Sequence, residues 1–88
     1  MRIWGKLMKD NRMLRDMTVT DDSADTRTHK IFHALEEICR TWDLSVPTWL
    51  DINVSDFRRH GKTRFTQDSF VGERIDFDYL ELQILEET

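Results

Sequence analysis

The sequence has one cysteine, one proline, one tyrosine and three glycines in 88 residues. Cys39 alone cannot form an internal disulfide, and a lone thiol fits a reducing compartment, so the expected location is cytoplasmic. Gly5, Gly61 and Gly72 stand apart from one another, so there is no glycine-rich phosphate loop, and nucleotide hydrolysis is not expected. No stretch approaches the roughly 20 apolar residues of a membrane span. The opening MRIWGKLMKDNRMLRD carries charges every few positions in place of a signal-peptide run, so neither export by that route nor a membrane is expected. A basic excess is also missing: the net charge is −4 and the pI is about 5.3. Nucleic-acid-binding domains are more often basic overall.

What is present suffices for one core. Eighty-eight residues suit a single domain, residues 1–88, and leave no room for separate catalytic and binding domains. Hydrophobic residues make up 39% of the chain, with three Trp and five Phe, unlike the aromatic-poor composition of disordered chains. The charge is unevenly spread. Residues 1–20 carry Arg2, Lys6, Lys9, Arg12 and Arg15 against Asp10 and Asp16. Residues 71–88 carry Glu73, Asp76, Asp78, Glu81, Glu86 and Glu87 against Arg74 alone. If both ends are strands of one sheet, these opposite charges face each other, at a few tenths of a kcal/mol per pair, and the pattern needs no ligand.

RIWGKLMK (2–9) and MLRDMTVT (13–20) read as strands around a polar turn. Asp25 is the expected N-cap of a helix over Thr26–Trp42, whose Ile31, Leu35, Ile38 and Trp42 form one stripe opposite His29, His33, Glu36 and Arg40. Pro47 forces the helix to end before Val46. In residues 47–75, Thr48–Ile52 reads as a short strand. Ser55 then reads as the cap of a brief helix, DFRRH, that Gly61 terminates. Lys62–Phe65 reads as extended and Thr66–Phe70 as a helical turn. Leu80, Leu82 and Ile84 alternate with Tyr79, Glu81 and Gln83, as in a strand with one buried face.

The expected class is α+β: a small sheet made of the N-terminal hairpin and the C-terminal strand, with one amphipathic helix packed on it. Placing the last strand beside the first and parallel to it gives an element order that resembles the β-grasp, or ubiquitin-like, fold, which implies an architecture and no activity. DTRTHKIFHALEEIC, RFTQDSF and IDFDYLELQIL are similar to a group of small uncharacterised bacterial proteins, which implies a bacterial or mobile-element origin and carries over no functional residue.

Five side chains stand out as a binding site: Arg58, Arg59, His60, Lys62 and Arg64 in DFRRHGKTRF, residues 56–65. With Phe57 and Phe65 at the ends, the run has the parts of a phosphate contact with a stacking platform. The alternatives are a protein contact and a solvated turn whose phenylalanines anchor it in the core. His29 and His33 are spaced to share a metal on one helical face, with Glu37 a further four on, but a zinc site wants more ligands and a solvated face explains them better. Cys39 lacks the surroundings of a nucleophile and reads as core. Asp76 and Asp78 read as a solvated approach to the last strand.

No catalytic, cofactor-binding or metal residue is therefore assigned, and the expected protein is a non-enzymatic module that binds another protein. An anion or single-stranded nucleic-acid site at 56–65 ranks second. An acidic decoy that fills a partner's basic groove with its C-terminal carboxylates stands beside it.

Overall fold

The computed structural model describes residues 1–87. Strands β1 (Arg2–Lys9) and β2 (Arg12–Thr20) form the expected hairpin. Lys9 pairs with Arg12, leaving Asp10 and Asn11 as a two-residue loop with φ of 51° and 62°. Positive φ at both positions is the geometry whose twist matches the flanking strands, and Asp and Asn tolerate it better than most residues. The loop is braced from afar: Asp10 donates its backbone N–H to the Asp78 carboxylate at 2.8 Å, and Asp78 donates its own to the Met8 carbonyl at 2.8 Å. Asp78 is thus exposed just before the last strand, as read, and also serves as a structural acceptor.

Helix α1 (Arg27–Thr41) starts one residue later than expected. Thr26 is the N-cap, because it holds the extended backbone of a cap and its hydroxyl accepts from the His29 N–H at 3.2 Å. Asp25 accepts from the Thr26 N–H at 2.8 Å, one step before the helix. The stripe is as read: Ile31, Leu35 and Ile38 are buried and Trp42 packs partly against them. Cys39 is also buried in the core, and burial alone pushes its thiol pKa up to about 11.

The remaining elements are helix α2 (Asp51–His60), strand β3 (Lys62–Phe65), a 3₁₀ turn (Gln67–Ser69) and strand β4 (Tyr79–Glu86). The sheet order is β2-β1-β4-β3 and every pairing is antiparallel. The last strand lies beside the first, as expected, but antiparallel instead of parallel. α2 leads into β3 running in the direction of β1, and the chain then turns through the 3₁₀ segment and comes back between them as β4, antiparallel to both. Two helices cover the sheet: the expected amphipathic one and α2, which is longer than the brief helix read over DFRRH.

The opposed charges of the two ends meet in this register. Lys6 stands across from Glu81 and Arg2 across from Glu86, with Lys6 Nζ 2.6 Å and Arg2 Nη1 3.9 Å from the facing carboxylates. One side of the sheet, with Ile3, Leu7, Val19, Leu80, Leu82 and Phe65, belongs to the core together with α1 and Phe57 of α2. Gly5 lies on this side, where a Cβ would sit 2.7 Å from Ile38 Cδ1. The missing side chain lets α1 approach the sheet there.

Candidate functional site

The run 56–65 is not a loop. Arg58, Arg59 and His60 form the last turn of α2, Gly61 caps it in the left-handed conformation (φ 66°), and Lys62 and Arg64 are on the edge strand β3. Cations in a last turn face the negative end of the helix dipole, which favours each by about 0.3–1 kcal/mol. Phe57 and Phe65 are buried, so they anchor the segment and offer no stacking platform.

The five side chains divide between two places. Arg58 and Arg59 line a hollow on the outer side of α2 with Asp51, Val54 and Ser55. His60, Lys62 and Arg64 line another at the β3 edge with Asp56 and Glu81, where carboxylates offset the cations. Arg64 is already engaged: its Nε is 3.1 Å from Glu81 Oε1 and its guanidinium lies 4.4 Å over the Tyr79 ring. Gly61-Lys62-Thr63 also spells the final letters of a phosphate loop, which is missed when glycines are judged by isolation alone. Here the glycine ends a helix and leads into a strand, the reverse of the strand-to-helix order that aims free N–H groups at phosphate.

α2 carries the more informative anomaly. Its buried residues are Asn53 and Phe57, while Ile52 is 62% and Val54 41% exposed. The helix faces the core with an asparagine because a polar knot holds it there. Asn53 Nδ2 donates to Thr63 Oγ1 at 2.9 Å and to the Arg64 carbonyl at 3.0 Å. Its Oδ1 accepts from the Leu50 N–H at 3.0 Å and from Ser69 Oγ at 3.3 Å. These bonds saturate the amide and clip the helix start, β3 and the 3₁₀ turn together. Because Asn53 bonds the Leu50 N–H, the helix begins at Asp51. Thr48–Ile52 is therefore not a strand, and Ser55 is inside the helix and does not cap it.

Val54 borders a groove of about 210 Å³ between the helices, lined with it by Arg27, Thr28, Ile31, Phe32, Trp49, Phe57 and Arg58, whereas Ile52 lies outside that lining. Phe32, on α1, is itself 42% exposed. Trp49 stiffens the wall, its ring 5.8 Å from that of Phe32, 5.5 Å from that of Phe57 and 4.9 Å from that of Phe65. Arg27 and Arg58 stand at the rim.

His29 and His33 both turn toward Asp25. Their Nδ1 atoms are 2.9 Å and 3.9 Å from its two carboxylate oxygens, and the rings stack at 6.2 Å. The His29 hydrogen bond, with help from the Thr26 N–H, holds the Asp25 carboxyl below its ordinary value. Among the described residues no three His, Cys, Asp or Glu side chains are grouped to hold a metal ion, and no helix is long and apolar enough to cross a membrane. Compared with known protein families, curated proteins and solved structures, the chain matches none.

Proposed function

We propose that the protein is a non-enzymatic module that binds another protein through the outer side of α2 and the groove beside it. One observation carries this reading: α2 buries an asparagine and exposes an isoleucine and a valine. Leaving large apolar side chains in water forgoes up to about 1.5–3 kcal/mol each relative to full burial, and Val54 together with the part-exposed Phe32 does so beside one groove, where apolar exposure marks contact surfaces. The basic residues keep a part in this reading, with Arg58 and Arg59 orienting a partner over the patch, as charged rims do. A phosphate grip by all five side chains has less support, since they face two hollows and Arg64 already serves Glu81.

Photo-crosslinking tests the reading. A benzoylphenylalanine placed at position 54 is expected to give one discrete protein adduct in an extract of the cells that make this chain. The same probe at position 18, on the edge strand β2, should give none. Adducts from position 18 and not from 54 would move the contact surface to the sheet.

A further inference from the structure

Building on the groove as the contact surface, we infer that its occupant is an acidic amphipathic segment of the partner, and that Glu87 of this chain stands where one of the partner's carboxylates goes. The first ground is the chemistry of the groove. Its walls are aromatic and aliphatic, its volume suits one large side chain, and its two charged rim residues are both arginines. An apolar side chain flanked by carboxylates matches that arrangement, as amphipathic segments do in grooves of this kind.

The second ground is that a carboxylate already occupies one rim position. Arg27 grips Glu87 as a fork, with Nε 3.3 Å and 3.2 Å from the two carboxylate oxygens and Nη2 3.2 Å from Oε1. The same guanidinium lies 5.8 Å from the Phe57 ring, so it is held against the groove lining. Both members of the pair are about half exposed, a setting in which ion pairs are weak and exchangeable. Arg58 has no ion-pair partner among the described residues. A partner segment would therefore meet one vacant arginine and one whose tenant is easily displaced.

The test uses the full chain and a fluorescent peptide with one phenylalanine between pairs of glutamates, read by anisotropy at low and high salt. Glu87→Gln removes the internal competitor and is expected to tighten binding about two- to fivefold, the span of an exposed ion pair. Arg58→Glu should weaken binding about tenfold or more, and Val54→Asp should abolish it, each with an unchanged thermal transition. Weaker or unchanged binding by Glu87→Gln overturns the stand-in role. Equal binding of a peptide with lysines for the glutamates overturns the acidic partner but leaves the groove as a contact surface, provided Val54→Asp abolishes both. No binding of either peptide overturns the inference, and crosslinking from position 54 then decides separately whether the contact surface survives. A single-stranded oligonucleotide that binds in the peptide's place and is lost with Arg58→Glu would overturn it in favour of phosphate.

Discussion

The two sides of the sheet solve the same problem by opposite means. On the side toward the helices, Ile3, Leu80, Leu82 and Phe65 are excluded from water and burial supplies the adhesion. On the other side Trp4, Lys6, Glu81 and Arg64 shield one another. Glu81 is only 5% exposed, clamped by Lys6 at 2.6 Å and Arg64 at 3.1 Å. Lys6 Nζ lies 4.2 Å over the Trp4 ring, and Trp4 Nε1 donates to Asp16 at 2.9 Å. A small sheet with helices on one side thus closes its second side with charge and aromatic faces, of which the opposed charges of the two ends foreshadowed the pairing of Lys6 with Glu81.

The sharpest way to break the comparison is to injure each side in turn. Leu35→Ala, in the core, should lower stability by about 2–5 kcal/mol, read as a urea midpoint shift at constant slope. Glu81→Ala should cost less, about 1.5–3 kcal/mol, because Lys6 and Arg64 can turn to water once their acceptor is gone. A Glu81 variant as damaging as the Leu35 one would mean that the open side is as essential as the core.

Acid separates the sides more finely. Burial pushes the Glu81 carboxyl up, but the hydrogen bonds and charges of Lys6 and Arg64 outweigh it and leave the pKa below its ordinary value of 4.5. A carboxyl depressed in the folded state contributes fully above its unfolded value, and that contribution is lost as pH falls through the lowered one. Unfolding midpoints from about pH 7 to about pH 3 should therefore fall less steeply for Glu81→Gln than for the native chain. Equal slopes would assign the acid sensitivity to other carboxylates.

Gly5→Ala probes the covered side from within. The added methyl would meet the tip of Ile38, a flexible end, so the cost should be about 1 kcal/mol and should shrink when combined with Ile38→Val. Additive losses would mean that the strain falls on the backbone. The smallest effect belongs to the outer face of α2. Ile52→Ser should change stability by no more than about 0.5 kcal/mol, since the side chain touches mostly water. A larger loss would show that Ile52 has a structural role and weaken the case for a contact surface.

Legibility followed the same divide. The hairpin, α1 and the core positions Ile31, Leu35, Ile38, Leu80 and Leu82 were readable because their apolar residues face inward at the period of the element that holds them. The first half of α2 was misread because Ile52 and Val54 are exposed, while DFRRH was read rightly as a helix that Gly61 ends. An apolar alternation through Trp49, Leu50 and Ile52 suggests a strand, and nothing local reveals that Asn53 is the buried residue. Only Gly61 marked where the helix stops. The antiparallel direction of β4 was unreadable for a different reason: it depends on β3, a short strand whose partner lies beyond a long connection. Glu81 read as solvent-facing because strand alternation predicts a side of the sheet and says nothing of how neighbours cover it. The candidate site was half visible, Arg58 and Arg59 through their charge, and Arg27 and the apolar members only through the fold that brings them together.

The pairing of β1 with β4 also sets a timetable. Arg2 faces Glu86, so the middle of the sheet joins segments from nearly opposite ends of the described chain. A nascent polypeptide can close the β1–β2 hairpin as soon as both strands emerge, and α1 can coil soon after. The inner edge of β1 then waits, unsatisfied, until β4 has been synthesised. Such non-local closure is slow relative to helix or hairpin formation. For that interval the hairpin presents an open strand edge and an apolar side that the finished molecule hides, so this chain is most exposed to mispairing during its own synthesis.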